Sequence, residues 1–167
     1  MPKSMEIERK YLIRKPNFSL IASLDGYTVS EIEQIYLESI DGVTRRVRMR
    51  RYPDRVEYTE NSKQRVSAMS VIETENEITA ESYSQQKQMI ADGYQPLYKR
   101  RHTFPFCGHT VEIDEYPQFQ RTAVLEVELE SEDVTPILPA MIEIIEEVTG
   151  DKRYSNHSMA KSFPPEP

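Results

Sequence analysis

Charged side chains recur at every second position in several short segments of the sequence. The rows are Glu6, Glu8 and Lys10; Arg46, Arg48 and Arg50; Glu73, Glu75 and Glu77; Lys99 and Arg101; Glu112 and Asp114; and Glu126, Glu128 and Glu130. Side chains at positions i and i+2 project from the same face of a β-strand. Each segment is therefore predicted to be a strand that presents a row of charge, usually of one sign, on a single face.

The residue types in these rows suggest the chemistry of a polyphosphate site. Guanidinium groups bind phosphate oxygens bidentately, and carboxylates supply the oxygen ligands that Mg²⁺ and Mn²⁺ prefer. A single row is explained by the solvated face of a half-buried sheet. Several rows of like charge favour a different interpretation, because like charges repel unless a counter-ion lies among them. If the sheet closes into a barrel, the rows converge inside it. The sequence then predicts a cavity with cations in one zone and carboxylates in another.

Other common phosphate and metal motifs are missing from the sequence. None of the five glycines has the spacing of a phosphate-binding loop, and the three histidines are scattered. Cys107 is the only cysteine, so the chain has neither an internal disulfide nor a cysteine-based zinc site. Cys107, Gly108 and His109 are better explained as a hairpin turn than as a nucleophile with its base. The remaining possibility for binding phosphate is an anion site made of side chains.

Segments of alternating hydrophobicity must position the charged rows. Strands are predicted over residues 5–13, 33–38, 44–51, 55–59, 71–78, 97–106, 110–116 and 122–130. Helices are predicted over residues 80–92, between the N-cap Thr79 and Gly93, over residues 141–148 and over residues 156–161. Many antiparallel strands with a few helices are typical of an α+β protein.

Length and charge limit the classes of protein that fit. The chain has 167 residues, a formal net charge of −7, 29% charged residues and 38% hydrophobic residues. We expect one domain over residues 1–163 and a disordered tail at 164–167. No apolar stretch approaches the roughly 18 residues that span a bilayer, and the first residues lack the apolar core of a signal peptide. We therefore expect a cytoplasmic protein without a membrane partner. The net acidity disfavours a protein that coats nucleic acid, and a homodimer through an outer face stays open.

Several of these segments together resemble a known family. The segment EIERK at residues 6–10 resembles the ExExK signature of the CYTH superfamily, the triphosphate tunnel metalloenzymes. The similarity continues in the family's order through RVRMR at 46–50, YKRR at 98–101, VEID at 111–114, LEVE at 125–128 and VTGDKRYSN at 148–156. The last segment is most similar to the small bacterial branch of the family.

The resemblance implies a closed antiparallel β-barrel, usually of eight strands, with helices packed outside and a triphosphate bound inside with Mg²⁺ or Mn²⁺. The implied metal ligands are Glu6, Glu8, Glu126 and Glu128. The implied substrate-binding residues are Lys10, Arg46, Arg48, Arg50, Lys63, Lys99, Arg101, Glu112, Asp114, Lys152 and Arg153. The implied catalytic residues are Lys99, Tyr36, Glu73 and Glu75.

Two alternatives remain for these residues. An ordinary strand aromatic explains Tyr36 as well as a catalytic tyrosine does. Internal salt bridges to the arginines explain the acidic residues of two rows at least as well as catalysis or the orientation of water does. These residues are Glu73, Glu75, Glu112 and Asp114.

Some positions depart from the family pattern. Asn61 stands where the lysine of a T-x-K element is expected, and Lys63 on the same strand face is its predicted substitute. Met69 and Ser70 stand where an arginine often precedes the next strand, and His157 stands where a lysine is common. Fewer cations predict weaker triphosphate binding.

The predicted function is the metal-dependent hydrolysis of a linear triphosphate, with inorganic tripolyphosphate as the expected substrate. A thiamine triphosphatase stays open, because Tyr94, Tyr98, Tyr116 and Phe119 could stack on a ring. A class IV adenylate cyclase is the other enzyme alternative, although no segment supplies a recognisable nucleobase pocket. A non-catalytic protein that binds phosphate-rich ligands is the alternative from a different class.

Overall fold

Nine β-strands form the body of the protein, for which a computed structural model describes residues 3–167. The strands are β1 (Lys3–Arg14), β2 (Thr28–Ile40), β3 (Val43–Arg51), β4 (Val56–Arg65), β5 (Ser70–Glu77), β6 (Leu97–Phe106), β7 (His109–Glu115), β8 (Thr122–Glu128) and β9 (Ile144–Glu147). Each of the eight predicted strands corresponds to one of β1 to β8. The strand β2 extends well beyond the predicted residues 33–38 because it pairs with β3 on one edge and with β6 on the other.

The sheet closes on itself through β1. Antiparallel pairing runs in the order β5-β4-β3-β2-β6-β7-β8-β1. Residues 8–14 of β1 pair with β8, and residues 3–7 pair with β5, which completes the ring. Beyond the end of β5, residues 11–13 of β1 pair with β9. The predicted α+β fold with a closed eight-stranded antiparallel barrel is confirmed, and β9 is an additional strand.

The outer face of the barrel is apolar where helices and loops cover it. On β7 and β8, the outward residues Val111, Ile113, Leu125 and Val127 are fully buried in one cluster. On β2 and β3, a second cluster packs against Tyr83. Because successive residues of a strand alternate between faces, this arrangement directs the charged rows of the same strands into the barrel.

Apolar side chains fill one end of the barrel interior. Leu12, Leu97 and Val124 continue the inward rows of β1, β6 and β8, and each is 1% exposed. They pack against the C-terminal segment in a cluster that includes Val148, Tyr154, Met159 and Ala160. The interior is therefore closed at this end, and the charged rows lie between this cluster and the opposite end.

Three short α-helices and one 3₁₀ turn pack around the barrel. They are α1 (Phe18–Ala22), α2 (Ala80–Lys87), the 3₁₀ turn (Lys152–Tyr154) and α3 (Asn156–Met159). Helix α2 begins at the predicted N-cap Thr79, whose Oγ1 accepts a hydrogen bond from the Ser82 N–H at 3.0 Å. It ends before the predicted residue 92 because the Ala91 N–H donates to the carbonyl of Tyr36 on β2 instead of continuing the helix.

The prediction of a helix over residues 141–148 is wrong, because this segment contains β9. The apolar spacing of Met141, Ile145 and Val148 fits a helix, but backbone groups of the segment pair with β1. The Arg14 N–H donates to the Glu143 carbonyl at 3.1 Å, and the Val148 N–H donates to the Lys10 carbonyl at 2.8 Å. These bonds to a distant part of the chain outweigh the local periodicity.

The C-terminal residues contact the barrel near the start of β8. The sequence predicts a disordered tail at 164–167, but in the structure the Glu166 carboxylate accepts hydrogen bonds from the backbone of Arg121 and Thr122. The two distances are 2.8 and 2.9 Å. The helices found within residues 3–167 are all too short to cross a membrane.

Candidate active site

The charged rows share the inner face of the barrel. Lys10 lies opposite Glu126, and Glu126 lies opposite Glu112 on the next strand. Residues at directly opposite positions of neighbouring strands project from the same face. Glu112 and Glu126 are buried despite their charge, Lys10 is partly buried, and Lys99 and Asp114 are only 3% and 0% exposed.

Asp114 on β7 binds two cations of β6. Its Oδ2 accepts hydrogen bonds from Lys99 Nζ at 2.9 Å and from Arg101 Nη2 at 2.8 Å, and its Oδ1 accepts one from Arg101 Nε at 2.7 Å. Arg101 Nη1 also donates to Glu112 at 3.0 Å. Burial alone would raise the pKa of Asp114, but Arg101 and Lys99 outweigh it and hold that pKa well below its usual range. Asp114 and Glu112 therefore fix Arg101 as internal counter-ions.

Lys99 is buried beside another cation. Burial is the largest influence on Lys99, and together with the charge of Arg101 it lowers the pKa of Lys99 to about 7, although Asp114 acts in the opposite direction. The Lys99 amine therefore changes its protonation state near neutral pH.

Three carboxylates gather where β1 pairs with β8. Glu8 lies directly opposite Glu128, and Lys10 Nζ is 3.5 Å from Glu126 Oε1. Burial, followed by the charge of Glu126, raises the pKa of Glu8 to about 8, and burial also raises the pKa of Glu128. Burial would raise the pKa of Glu126 as well, but Lys10 and Arg101 outweigh it and lower that pKa to about 2. Within residues 3–167, Glu8 and Glu128 make no ion pair, whereas Glu126 has Lys10.

Lys63 occupies the position predicted for it, on the inner face of β4. Its Nζ is 3.2 Å from Glu73 Oε2 and 3.6 Å from Glu6 Oε2, and Asn61 Nδ2 donates to Glu73 Oε1 at 3.0 Å. Burial would raise the pKa of Glu73, but Lys63, a hydrogen bond from Glu6 and the charge of Arg46 lower it to about 2. Burial raises the pKa of Glu6 to about 7. Glu73 is therefore the counter-ion of Lys63, and Glu6 retains a proton near neutral pH.

The arginines of β3 leave hydrogen-bond donors free inside the barrel. The Nε atoms of Arg46 and Arg48 are buried and have no hydrogen-bond partner within residues 3–167. Arg48 Nη2 is 3.5 Å from Glu75 Oε1 on β5. Burial, followed by the charges of Arg46 and Arg101, lowers the pKa of Arg48 to about 10. This wall of the barrel therefore offers cationic donors that the described residues do not satisfy.

The predicted division into a cationic zone and a carboxylate zone is partly wrong. The prediction agrees with the structure only for the arginines of β3 and for the opposed residues Glu8 and Glu128. Elsewhere cations and carboxylates alternate, as in the contacts of Lys63 with Glu73 and of Arg101 with its two acids. The physical reason is that burying an ion without a partner is costly, so most interior cations take a neighbouring carboxylate.

Tyr36 and Lys99, two of the implied catalytic residues, do not hydrogen-bond to each other. Lys99 Nζ is held by Asp114 and lies 3.4 Å from Asn156 Oδ1. Tyr36 is 2% exposed, and its hydroxyl oxygen accepts a hydrogen bond from Gln34 Nε2 at 2.9 Å. Tyr36 lies on the inner face directly opposite Arg46 on β3, so it borders the free guanidinium donors instead.

Two predicted substrate-binding residues lie apart from this interior group. Lys152 and Arg153 are exposed on the 3₁₀ turn, and Arg153 Nη2 is 2.7 Å from Asp151 Oδ2. The same segment instead contributes Asn156, whose Oδ1 accepts a hydrogen bond from the Tyr116 hydroxyl at 2.5 Å. Asn156 was not predicted as a functional residue, although it ends the motif that begins at Val148.

The carboxylates of β1 and β8 fit a hard divalent cation by donor type. Glu8 and Glu128 lie opposite each other and have raised pKa values, and a bound cation would stabilise their charged forms. Within residues 3–167, however, no three side chains of His, Cys, Asp or Glu are grouped to hold a metal ion. Mg²⁺ and Mn²⁺ complete their coordination with water and phosphate oxygens. The residues therefore fit a metal that is bound together with a phosphate ligand.

A cavity of about 520 Å³ lies beside the end of the arginine row. Ser30 and Tyr52 belong to its lining, and both contact Arg50. Arg50 Nε donates to Ser30 Oγ at 2.9 Å, and the guanidinium carbon lies 4.8 Å from the centre of the Tyr52 ring. Phe18 and Tyr27 also line the cavity. A space with aromatic walls therefore adjoins Arg50, the last arginine of the inward row of β3.

The chain is similar to several known proteins. The CYTH domain profile matches residues 4–163. The crystal structure of the inorganic triphosphatase NE1496 is 28% identical, with a TM-score of 0.58, and the match covers 96% of this chain and 97% of that one.

Two other solved structures are similar in fold alone. A Hippeastrum protein, described as a putative adenylyl cyclase with a dominant triphosphatase activity, is 16% identical, with a TM-score of 0.51 and coverage of 75% of this chain and 80% of that one. A putative adenylate cyclase from Bacillus halodurans is 19% identical, with a TM-score of 0.54 and coverage of 79% and 84%. No curated protein sequence matches this chain significantly.

Proposed function

The chain belongs to the CYTH domain family, and we propose that it is a divalent-metal-dependent triphosphatase that hydrolyses inorganic tripolyphosphate to pyrophosphate and phosphate. The similar inorganic triphosphatase NE1496 supports the class of reaction. The observation that carries the proposal is the pair Arg46 and Arg48, whose buried Nε atoms have no partner within residues 3–167. A buried donor without a partner costs about 1–3 kcal/mol, and the oxygens of a phosphate chain would satisfy both.

Cations around the barrel would hold the phosphate chain from several sides. Arg46, Arg48 and Arg50 present guanidinium groups from β3, and Lys63 faces the interior from β4. Arg101 is fixed by three hydrogen bonds to carboxylates of Asp114 and Glu112 within 3.0 Å, so its charge is already oriented before the substrate arrives. Such preorganised charge is the main requirement of phosphoryl transfer, which needs positioning and charge stabilisation.

The metal would be held by the carboxylates of β1 and β8. Glu8 and Glu128 are the principal ligands in this proposal, with Glu6 and Glu126 beside them. A bound Mg²⁺ or Mn²⁺ supplies neutralisation of charge on phosphate oxygens and polarises the phosphoryl group. Glu8, with a pKa of about 8, must lose its proton to become a ligand.

Lys99 and Tyr36 border the phosphate site in different ways. Lys99 carries a charge below a pH of about 7 and would attract the phosphate chain from the β6 side. Tyr36 keeps a polar group beside Arg46. We propose that Glu73 and Glu75 hold Lys63 and Arg48 in place, because these pairs lie at 3.2 and 3.5 Å.

A second candidate substrate is a triphosphate ester with an aromatic group, such as thiamine triphosphate. The cavity beside Arg50 favours this candidate, because Tyr52, which lines the cavity and contacts Arg50, could contact a ring whose phosphates reach the arginine row. We propose a small-molecule substrate and a cytoplasmic enzyme without a membrane or nucleic-acid partner.

A substrate panel tests the proposal. The purified protein is incubated with tripolyphosphate, thiamine triphosphate, ATP or pyrophosphate, with Mg²⁺, Mn²⁺ or a chelator, while phosphate, pyrophosphate and cyclic AMP are measured. We expect the highest kcat/KM with tripolyphosphate and loss of turnover with the chelator. A higher kcat/KM with thiamine triphosphate would select the second candidate, and cyclic AMP from ATP would replace hydrolysis with cyclisation. Tight binding of tripolyphosphate without turnover would identify a binding protein.

A further inference from the structure

Gln34 on β2 carries a buried amide with one polar atom left free. The residue is 0% exposed, and its Oε1 has no hydrogen-bond partner within residues 3–167. It lies on the inner face, directly opposite Arg48. A buried carbonyl oxygen without a partner destabilises the folded protein, and an apolar residue would avoid this cost if the position served packing alone.

The orientation of this amide is fixed by its other end. Gln34 Nε2 donates to the Tyr36 hydroxyl at 2.9 Å, and Tyr36 is held in turn by packing against His157, with ring centres 5.1 Å apart. The facing Arg48 does not satisfy Oε1: its Nη2 contacts Glu75 at 3.5 Å, and its Nε has no hydrogen-bond partner within residues 3–167. The free oxygen is therefore held in place beside the guanidinium donors that would bind phosphate.

Only a hydrogen-bond donor can satisfy this oxygen. A carbonyl oxygen accepts but cannot donate, and the oxygens of an ionised phosphate chain are acceptors too. A water molecule donates two hydrogen bonds and also carries lone pairs that can attack phosphorus. The nucleophile of a hydrolysis is thus the component of the reaction that matches Gln34 Oε1 in hydrogen-bond character.

We propose that Gln34 positions the attacking water of the reaction, an inference that rests on the proposed triphosphatase function. Gln34 Oε1 accepts one water hydrogen and turns a lone pair of the water oxygen towards the terminal phosphorus. A bond forms between that oxygen and phosphorus, and the bond from phosphorus to the bridging oxygen breaks. One proton of the water stays on the new phosphate, and the other ends on the departing pyrophosphate, so no further reactant is needed.

Two substitutions at this position test the role against wild type. Gln34→Met keeps a similar length without the amide, and Gln34→Glu keeps an acceptor but loses the donor to Tyr36. Gln64→Met is the matched control, because Gln64 is exposed on β4. The measurements are kcat and KM for tripolyphosphate, the Kd of non-hydrolysable imidotriphosphate, and the circular dichroism spectrum.

The expected result separates turnover from binding. Gln34→Met lowers kcat about 10- to 100-fold because the water is no longer oriented, while KM and the Kd for imidotriphosphate change by less than about threefold. Gln34→Glu retains a higher kcat than Gln34→Met because it still accepts from water, and its added charge raises KM. Gln64→Met behaves as wild type.

Three outcomes would overturn the inference. An unchanged kcat in Gln34→Met removes the role altogether. A raised KM and a weakened Kd with unchanged kcat make Gln34 a phosphate contact instead. If Gln34→Met does not fold, Gln34→Glu provides the test. Turnover by Gln34→Glu no faster than the uncatalysed reaction would contradict the role, because this variant keeps an acceptor for the water. A wild-type protein that hydrolyses no triphosphate overturns the proposed function itself, which the wild-type measurement reveals before any variant is compared.

Discussion

Glu8 and Glu128 occupy directly opposite positions where β1 pairs with β8. Like charges at such positions destabilise a sheet, and neither residue has an ion-pair partner within residues 3–167. Burial raises the pKa of both carboxyls, and that of Glu8 reaches about 8. Glu8 is partly buried and Glu128 is exposed, so the protein keeps two carboxyls without a counter-ion on the inner face where a cation can reach them.

Metal and a phosphate chain bound together should stabilise the folded protein. We expect Mg²⁺ with imidotriphosphate to raise the Tm by about 5–10 °C at ligand concentrations of about 100 Kd. Glu8→Gln should lose most of this rise, because it removes a proposed ligand, whereas the exposed Glu130→Gln should keep it. Differential scanning fluorimetry measures the shift. An equal rise in Glu8→Gln and wild type would place the metal elsewhere.

The pH dependence of the metal-free protein tests the same residue. The pKa of Glu8 in the folded protein is about 8, above its ordinary value of 4.5, so the folded state holds this proton more tightly than the unfolded state. The contribution of Glu8 to the free energy of unfolding therefore falls as the pH rises from about 4.5 to about 8. In urea titrations, the free energy of unfolding of Glu8→Gln should fall less steeply with pH over this window than that of wild type. Parallel curves for variant and wild type would contradict the raised pKa.

Arg48→Ala should separate substrate capture from stability. The substitution removes charged donors aimed at phosphate, so we expect KM for tripolyphosphate to rise about 10- to 100-fold. It also removes a buried cation beside Arg46, so the free energy of unfolding should stay equal or increase. Arg51→Ala is the control, because Arg51 is exposed on the same strand. A KM for Arg48→Ala equal to that of wild type would contradict the proposal that Arg48 on β3 binds phosphate.

Lys99→Met should change how stability depends on pH above neutrality. The folded protein lowers the pKa of Lys99 from 10.5 to about 7. Between these values the unfolded chain binds a proton that the folded chain does not, so the contribution of Lys99 to stability rises with pH across this window. Lys99→Met should lose that rise, whereas the exposed Lys3→Met should retain it. Urea titrations at several pH values measure how the free energy of unfolding changes with pH. Equal slopes for Lys99→Met and wild type would refute the lowered pKa.

The strands and their inward faces could be predicted because both signals are local. Alternation of charge along β1, β3 and β8 defines a strand and its face at once, and the same rows predicted which side chains meet inside. The β9 segment could not be predicted this way, because the apolar spacing of residues 141–148 also fits a helix. Only its pairing with β1, a distant part of the chain, decides between the two.

The partners of the site residues were harder to predict than the residues themselves. That Arg101 would face the interior follows from its row, but its hydrogen bonds to Asp114 and Glu112 depend on the register between β6 and β7. Gln34 gave no signal, because an amide in a strand carries no charge pattern. Lys152 and Arg153 were assigned by resemblance, and the fold of the 3₁₀ turn leaves them exposed.

Lys63 and Asn61 allow a test of which lysine position the site requires. Both face the interior from β4, and both contact the same carboxylate, Glu73. Lys63→Ala should raise KM for tripolyphosphate about tenfold, because one cation near the phosphate chain is lost. Adding Asn61→Lys to this variant places a cation two residues along the same strand face, where Glu73 can still orient it, and KM should return towards that of wild type.

The exposed Gln64→Lys combined with Lys63→Ala is the matched control, since it restores the net charge on the outer face of β4. Rescue by Asn61→Lys alone means that a lysine on the inner face compensates for the family lysine missing at residue 61. Equal rescue by Gln64→Lys would reduce the effect to long-range attraction, which salt would screen. No rescue by Asn61→Lys would mean that Lys63 contacts phosphate from a position that residue 61 does not reach.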